Sequence, residues 1–399
     1  MVNITDKAKC SGCSACAAIC PINCIEMEID SEGFAYPRVN EAACVDCGAC
    51  ERVCPIDNRS EEVAFPQDGY VVQNKDEKVL KESTAGGAFT AIAKYVIHRN
   101  GVVFGAALSD KLLAHHIWVD TEKDLGKFRN SKYMQSTLGG GYKAVKSFLN
   151  QGRMVCFSGT PCQVEGLMHY LGKEYDNLIT VDVVCRAVPS PMVFNKYVEL
   201  QNNRLGSTVT NVRFRDKHYG YKYSTINVIT DKNQGSYHQG VETDPWLRAF
   251  FSGICIRPSC YQCQFKKRYR MSDFTMWDCF NVGRFSKELD NDKGASRLLV
   301  HTDKGRKVFS EISDELRYVQ LAPEKIIEGT AEMTKSVQYN ARREQFMHDA
   351  TIMDGTTLFD KYFPNTFKVK MEHSIRMICY KIGIYSIVKK AYVRITHKY

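Results

Sequence analysis

The sequence predicts an α/β core, with a mixed sheet and flanking helices, preceded by a small α+β domain that is rich in cysteine. The first observation behind this prediction is the run from Met154 to Arg186, where short apolar strands alternate with a helical pattern. The second is the crowding of nine of the 17 cysteines into the first 54 residues. The polar stretch NRSEEVAFPQD, from Asn58 to Asp68, separates the two regions and is predicted to be a linker.

The run from Met154 to Arg186 predicts a βαβ unit that brings two cysteines together. Met154–Ser158 and Leu178–Val184 are apolar enough for buried strands, and Gln163–Leu171 between them has helical spacing. Cys162 then lies at the N-terminus of the helix, and Cys185 directly follows the second strand. Since the strands of a βαβ unit are parallel, both cysteines emerge at the carboxyl edge of one sheet, where open α/β sheets bind their ligands.

Composition and charge limit the class of protein. The chain has 399 residues, of which 44% are hydrophobic and 25% charged, as is usual for a globular protein. It shows neither a secretory signal nor a run of about 20 apolar residues, so a cytoplasmic location is expected. In such a reducing compartment, many cysteines indicate metal or redox chemistry rather than disulfides. The net charge is +9, but the last 35 residues carry eight Lys and Arg and one Glu, which argues against nucleic acid as a partner of the whole chain.

An internal repeat of 34 residues carries the cysteines at the N-terminus. The pattern CxxCxxCxxxCP occurs twice, which is the signature of bacterial two-cluster ferredoxins. In that arrangement the fourth cysteine of each run binds the other cluster. One [4Fe-4S] cluster is therefore predicted on Cys10, Cys13, Cys16 and Cys54, and the other on Cys44, Cys47, Cys50 and Cys20. Structural zinc sites are the alternative, although they do not need this pattern twice. Cys24 is left over and is expected to be a buried, small apolar residue.

Two polar turns in the next region could contact a phosphate. Ser83–Gly87, with the sequence STAGG, precedes the helical pattern Phe89–Ile97, so its backbone amides could cradle a pyrophosphate. An ordinary helix cap and turn is the alternative. Lys132 lies in the second turn, NSKY, and is a possible phosphate contact, although exposed lysines are common in turns.

A second group of cysteines lies further along the chain. Cys255, Cys260 and Cys263 form a CxxC pair with one additional thiol upstream. Together with Cys162 and Cys185, this pair offers four thiolates for a third cubane, while a zinc half-site and a redox dithiol are the alternatives. Further predicted elements are a strand at Gly101–Leu108, a helix at Pro191–Asn202, two strands within Thr210–Thr230, a strand at Arg297–His301 and a helix from Asp303.

Six segments, in this order, resemble the coenzyme F420 hydrogenase/dehydrogenase beta subunit family. They are STAGGAFTAI, NSKYMQSTLGGGYKAV, FSGTPCQVEGLMHYL, VDVVCRAVPSP, CYQCQF and RYRMSDFTMWD, and the resemblance covers about Gly69 to Ser310. It implies FAD bound on an α/β domain beside an intrinsic [4Fe-4S] cluster. The cluster ligands implied are Cys162, Cys185, Cys260 and Cys263. The implied flavin contacts are Thr84, Gly86, Gly87, Lys132, Tyr133, Thr160 and Gln163.

These observations predict an iron–sulfur flavoprotein oxidoreductase with three [4Fe-4S] clusters and FAD. It would transfer electrons between the ferredoxin-type clusters and a small-molecule redox substrate docked on the flavin. That substrate is an F420-type deazaflavin or another small organic molecule, and some relatives are encoded among polysaccharide genes. The expected protein partner is a ferredoxin or a hydrogenase or dehydrogenase subunit. Asp273 and Asp278 are candidates for a catalytic acid or base, with turn capping as the alternative. The other hypothesis is a non-catalytic subunit that links a partner oxidoreductase to the ferredoxin pool.

Four regions are predicted: residues 1–60 (the ferredoxin domain), 69–150 (FAD contacts), 151–320 (the core with the third cluster) and 321–399 (a helical extension with a basic tail). Apolar residues recur at steps of three or four in the tail, which predicts a helix with an apolar stripe. The helix either packs on its own domain or docks on anionic lipid or an acidic partner. The basic residues of this tail are Lys368, Lys370, Arg376, Lys381, Lys389, Lys390, Arg394 and Lys398.

Overall fold

The computed structural model describes residues 2–232, 237–385 and 387–388. Its strands, in chain order, are β1 (Ile25–Ile29), β2 (Ala35–Val39), β3 (Asp68–Asn74), β4 (Val102–Leu108), β5 (Ala114–Val119), β6 (Val155–Gly159), β7 (Leu178–Val183), β8 (Val209–Asp216), β9 (Thr225–Thr230), β10 (Tyr237–Gln239), β11 (Phe274–Asp278), β12 (Ser296–Val300) and β13 (Leu316–Leu321). Its α-helices are α1 (Ala15–Ile19), α2 (Ala49–Arg52), α3 (Glu77–Glu82), α4 (Ala88–Ile97), α5 (Gly141–Asn150), α6 (Pro161–Leu171), α7 (Pro191–Leu205), α8 (Pro245–Ser252), α9 (Asp303–Ile312), α10 (Pro323–Ile327), α11 (Arg343–Ile352), α12 (Gly355–Tyr362) and α13 (Phe367–Lys381).

The core is a mixed sheet, as predicted, and it has eight strands. Its strand order is β13-β3-β12-β11-β7-β6-β4-β5. The four strands β11, β7, β6 and β4 run parallel to one another, and the strands added at both sides pair antiparallel. Strands from the segments 69–150 and 151–320 therefore enter the same sheet.

Helices cover both faces of this sheet. On one face, α4 and α9 bury Ile92 and Val308 against the strands. On the other face, α5 and α6 bury Val145 and Leu167, and this second apolar cluster also includes Ala15 of α1. The N-terminal region thus packs on the α5–α6 face rather than standing apart from the core.

The predicted βαβ unit is confirmed. The strands β6 and β7 pair in parallel, with Val155 opposite Leu178, and α6 connects them. A capping box begins α6, because the Thr160 side chain and the Gln163 side chain each bond the other's backbone. Cys162 lies in the first turn of the helix, and Cys185 lies just beyond the end of β7.

A second, smaller sheet lies in the chain between β7 and β11 of the core sheet. The strands β8, β9 and β10 form an antiparallel three-stranded sheet, which includes the two strands predicted within Thr210–Thr230. The helices α7, α8, α11 and α12 pack with it around the buried rings of Phe194, Trp246, Phe346 and Phe359.

The N-terminal region has the small α+β form that was predicted. The hairpin β1–β2 and the short helices α1 and α2 surround the cysteines. Gly12 and Gly48 have φ angles of +70° and +67°, a conformation that favours glycine, at the turns that follow cysteines.

No helix among the described residues is long and apolar enough to span a membrane. The predicted tail helix corresponds to α13, while Lys389, Lys390, Arg394 and Lys398 lie outside the described residues.

Candidate functional site

The structure brings together the four cysteines predicted to hold the first cluster. Cys10, Cys13 and Cys54 lie close enough to Cys16 for their thiolates to raise its pKa, in addition to the larger effect of burial. Burial likewise raises the pKa of Cys13 to about 12, with Cys10 and Cys54 adding to the shift. Iron binding to such thiols must displace their protons, so cluster assembly and proton release are linked at this position.

The four cysteines predicted for the second cluster line one small cavity. Cys20, Cys44, Cys47 and Cys50 all contribute to its wall, and Cys47 is exposed. Cys24 lines the same cavity. It is buried as expected, but its sulfur lies 3.4 Å from Sγ of Cys20, and its backbone N–H donates to that sulfur at 3.3 Å. A donor to a thiolate stabilises the added negative charge when a cluster is reduced.

Four cysteines that are far apart in the sequence meet at the carboxyl edge of the core sheet. The pKa of Cys162 is raised well above its usual value by burial and by Cys263, Cys185 and Cys260. Within the described residues, no three His, Cys, Asp or Glu side chains converge on the position of a single metal ion. A cubane makes a different demand, because four thiolates are spread over a cluster of four irons.

Cationic side chains surround this core group. Lys266 Nζ donates to the backbone oxygens of Cys185, Arg186 and Glu332, the last at 2.8 Å. Burial raises the pKa of Cys185 to about 11, whereas Lys266 and Arg270 oppose the shift. Arg270 is itself buried in an ion pair with Asp182 at 3.0 Å. The positive charges favour thiolates, and therefore metal-bound cysteines, at this position.

The helix α6 joins the first N-terminal group to the core group. A β-carbon added to Gly166 would lie 2.9 Å from Cβ and 3.1 Å from Sγ of Cys13. Cys162 lies four residues before Gly166, on the same face of the helix. Tyr142 fills the space between the groups: its hydroxyl donates to the Gln163 backbone oxygen at 2.6 Å, and burial raises its pKa, with Cys13, Cys162 and Cys16 nearby.

Arg257 makes a second link between the two groups. Its guanidinium is fully buried and donates from Nε to the Cys10 backbone oxygen at 2.8 Å. Nη2 lies 3.6 Å from Cys10 Sγ, and the same charge lowers the pKa of Cys260 against the larger opposing effect of burial. One arginine thus faces a cysteine of each group.

The predicted flavin contacts fall into two groups that border one loop. In the first group, the Ser131 backbone N–H donates to Thr84 Oγ1 at 2.8 Å. In the second, Gln163 Nε2 donates to Ser136 Oγ at 3.1 Å, and the Thr160 hydroxyl lies 3.1 Å from Cys162 Sγ. The loop between residues 131 and 136 therefore connects the STAGG turn to the core cysteines.

Three of the predicted flavin residues, Gly86, Gly87 and Lys132, are required by the protein's own packing, backbone conformation or hydrogen bonds. A β-carbon on Gly86 would lie 2.3 Å from the Val72 backbone oxygen, and Gly87 has a φ angle of +75°, so packing and backbone conformation both require these glycines. The Lys132 ammonium donates its three hydrogens to the backbone oxygens of residues 127, 129 and 130. In this arrangement Lys132 supports the turn and has no hydrogen left for a phosphate.

Tyr133 belongs to an aromatic cluster with Phe250 and Phe251, and it contacts an arginine that the sequence pattern does not single out. The Tyr133 ring stacks on Phe250 at 4.6 Å, with Phe251 at its edge. Arg215 is 7% exposed and donates from Nη1 to the Tyr133 hydroxyl at 3.2 Å, but its Nη2 has no hydrogen-bond partner among the described residues. A buried N–H of a guanidinium without a partner calls for an explanation, and an acceptor on a ligand would be one. Arg215 lies in a strand pattern, which carries no sequence signal for such a role.

The two acidic candidates have different surroundings. Asp273 is buried and accepts from the backbone N–H of Thr180 at 2.8 Å and from the hydroxyl of Thr302, so it ties β7 to the end of β12. Asp278 pairs with Arg215 at 2.9 Å, beside the aromatic cluster. Asp278 is therefore linked to the aromatic cluster through Arg215, while the contacts of Asp273 are structural.

Comparison with known proteins identifies two parts of the chain. Residues 152–325 match the family model for the C terminus of the coenzyme F420 hydrogenase/dehydrogenase beta subunit. Residues 9–58 match the 4Fe-4S dicluster domain. The match to the dicluster domain thus precedes the match to the C-terminal domain of this beta subunit family in the same chain. No curated protein matches it significantly. Among solved structures it is similar to the F420-reducing [NiFe] hydrogenase complex from Methanosarcina barkeri in a xenon-derivatised form, with 18% identity over 77% of this chain and 95% of that chain and a TM-score of 0.45.

The matched regions contain all the predicted cluster cysteines. The eight N-terminal cysteines lie within the dicluster domain, and Cys162, Cys185, Cys260 and Cys263 lie within the C-terminal domain of the beta subunit family. The chain is thus an iron–sulfur electron-transfer protein of oxidoreductase type, related to the F420 hydrogenase and dehydrogenase beta subunits. Thr84 and Tyr133 lie outside the matched ranges.

Proposed function

We propose that the chain is an iron–sulfur flavoprotein oxidoreductase with three [4Fe-4S] clusters and FAD. It transfers electrons between the dicluster domain and a small organic substrate docked on the flavin, such as an F420-type deazaflavin. The contact of Cys13 with Gly166 on α6, one turn after Cys162, carries this proposal. It places a cysteine of the first N-terminal group against the helix that bears a core cysteine, so the two predicted clusters are neighbours.

The order of the cysteine groups supports a path from the surface to the core. Cys47 of the second group is exposed, so a redox partner protein can approach there. The short helix α1 carries Cys16 of the first group and ends at Cys20 of the second group, and α6 then leads to Cys162. The same sequence of groups serves electron flow in either direction.

The flavin ring would bind at the aromatic cluster of Tyr133, Phe250 and Phe251, which lies beside Cys185. Arg186, which follows Cys185, donates to the Phe251 backbone oxygen at 3.0 Å, and Phe251 packs against Tyr133. Arg215 would place a positive charge next to the bound ring, where charge tunes flavin electronics. A bound flavin would supply the exchange between hydride transfer and single-electron transfer.

The first experiment measures iron, flavin and electron transfer on anaerobically purified full-length protein. We expect about twelve irons per chain, from three clusters of four, and one FAD. Cys162→Ser should retain about eight irons in the dicluster domain, because its ligands come from other elements. Reduced ferredoxin should then reduce the flavin in the wild-type protein, followed by absorbance after rapid mixing, and should fail to do so in Cys162→Ser. Flavin reduction at the wild-type rate in this variant would contradict the path through the core group.

The same preparation separates an enzyme from a non-catalytic subunit. An enzyme should reduce or oxidise free F420 or another small redox substrate without a partner protein. A subunit that only links a partner oxidoreductase to the ferredoxin pool would exchange electrons with ferredoxin and a viologen. It would turn over neither F420 nor any other small redox substrate that is tested. That second pattern would replace the proposed function.

A further inference from the structure

One face of α13 presents an exposed apolar stripe. Phe367, Met371, Ile375 and Ile378 of α13 follow one another at steps of four, four and three residues, which keeps them on one side of the helix, and Ile382, the C-cap residue, continues the row four residues later. Each of the five is between 48% and 81% exposed. Single exposed apolar residues are common on protein surfaces, but an aligned row of five large ones marks an interaction surface. We call these five residues the stripe.

The opposite face of α13 is anchored to the body of the protein. Cys379 is buried beside Tyr223 in a small apolar cluster that also includes Tyr385. His373 Nδ1 lies 3.1 Å from Oε1 of the buried Glu242, and Arg376 Nη1 lies 3.9 Å from its other oxygen. The stripe therefore points away from the other described residues, because the opposite side of the helix is held in place.

Lysines border the stripe on both sides. Lys368 follows Phe367, whereas Lys370 and Lys381 precede Met371 and Ile382, and one residue turns the helix by about 100° in either direction. All three lysines are exposed. Glu372 is the sole acid within α13, every residue of which is described, and it is paired with Arg376 at 2.7 Å. The free charge along the stripe is therefore positive.

We propose that α13 is an in-plane membrane anchor that docks this protein on the surface of an anionic bilayer. The stripe would enter the boundary between headgroups and acyl chains, and the lysines would extend their stems along it to reach lipid phosphates. A second copy of the chain is a poorer occupant, because a symmetric pairing of this face would bring the lysines of both copies together. The proposal concerns location and is independent of the proposed redox function.

Point variants test it better than removal of the helix, because α13 also contributes buried contacts. In the first variant, Ile375→Ser and Ile378→Ser are combined; in the second, Lys368→Gln, Lys370→Gln and Lys381→Gln are combined. The matched control is Ile29→Ser with Ile352→Ser, two isoleucines that are 59% and 67% exposed elsewhere on the surface. Each protein is assayed at full length, anaerobically, by flotation with vesicles of phosphatidylcholine alone or with 30% phosphatidylglycerol. Iron content and light scattering report cluster loading and oligomeric state.

We expect the wild type and the control to float with the anionic vesicles and to remain unbound with the neutral ones. The isoleucine variant should bind roughly tenfold more weakly for each residue replaced. The lysine variant should lose roughly fivefold per lysine, the equivalent of about 1 kcal/mol each. Absence of wild-type binding, or equal binding by all four proteins, would overturn the proposal. A wild-type dimer that the isoleucine variant converts to a monomer, without vesicle binding, would assign the stripe to a second copy instead.

Discussion

The side chain of Cys13 lies directly against the α-carbon of Gly166, so that the first cysteine-rich region and the core helix α6 touch without an intervening side chain. A β-carbon at this glycine would lie 2.9 Å from Cβ of Cys13, closer than β-carbons approach other atoms in proteins. It would also lie 2.9 Å from the Tyr142 hydroxyl. The glycine is therefore required by close packing and not by its backbone conformation.

Gly166→Ala should consequently push the dicluster domain away from α6. Overpacking of a tight contact costs about 1–3 kcal/mol, and the displacement should slow electron transfer from the N-terminal clusters to the core. Rapid-mixing absorbance measures that transfer, and thermal unfolding measures the loss of stability. Gly126→Ala is the matched control, because a β-carbon at Gly126 meets no atom within 4 Å. Wild-type transfer and stability in Gly166→Ala would show that the contact is looser than described.

Arg257 should raise the reduction potential of the cluster bound by Cys10. Its guanidinium lies 3.6 Å from Cys10 Sγ, and a nearby positive charge favours the state with one more electron. Arg257→Gln should therefore lower that potential by tens of millivolts, where about 59 mV is a tenfold change for one electron. Arg257→Lys retains the charge and serves as the control, with a smaller shift expected. Redox titration followed by EPR gives both values, and equal potentials in the three proteins would rule out this role.

The sequence predicted the parts of this molecule that depend on local pattern. The βαβ unit from β6 to β7 follows from two apolar runs around a helical period, and the repeat of cysteines is sufficient by itself to indicate the dicluster domain. Two members of the core group could be predicted for the same reason, since Cys162 and Cys185 each follow a predicted strand. These predictions concern residues that are close in sequence or that share a sheet edge.

Residues that act through long-range contacts could not be predicted in this way. Arg257 reaches Cys10 across 247 positions of sequence, and nothing in its local pattern distinguishes it from a surface arginine. The sequence around Arg215 predicts only an ordinary strand. Arg215 lies beside Tyr133 because the second sheet packs on the loop that contains Tyr133. Lys132 is the converse case: its turn suggested a ligand contact, but the backbone carbonyls of that turn already surround the ammonium.

Arg215 offers a cleaner test of the flavin site than the glycines do. Replacement of Gly87 strains the backbone at its φ of +75° whether or not a cofactor binds there. Arg215→Gln removes the charge and the Nη2 donor while keeping a polar side chain. We expect the binding free energy of flavin to weaken by about 1.5–3 kcal/mol, which is roughly tenfold to a hundredfold in affinity. Arg213→Gln, on the same strand, is the control for charge alone. Fluorescence titration of the deflavinated protein measures both affinities, and unchanged affinity in Arg215→Gln would place the flavin away from the aromatic cluster.

The last prediction concerns stability at acidic pH and depends on His301. This imidazole is buried, accepts from Gln67 Nε2 at Nδ1, and donates from Nε2 to the Thr275 hydroxyl, which in turn donates to Asp182. Burial, with Arg270 and Arg306 nearby, lowers its pKa to about 3. An unfolded histidine has a pKa of about 6.5, so the unfolded chain binds more protons than the folded chain between these two values. The contribution of His301 to stability is therefore complete above a pH of about 6.5 and is lost as the pH falls towards about 3.

At pH 5.5 the loss should be about 1.5 kcal/mol relative to pH 7.5. His301→Gln removes the titrating group, so its apparent unfolding temperature should fall less than that of the wild type between pH 7.5 and 5.5, by a few degrees. His348→Gln replaces an exposed histidine elsewhere on the protein and is the control for exchanging an imidazole for an amide, so it should keep the wild-type difference. If His301→Gln and the wild type lost the same number of degrees, His301 would have to titrate near its ordinary pKa. His301 Nδ1 would then carry a second proton, and the side-chain amide of Gln67 would have to rotate so that its oxygen accepts that proton.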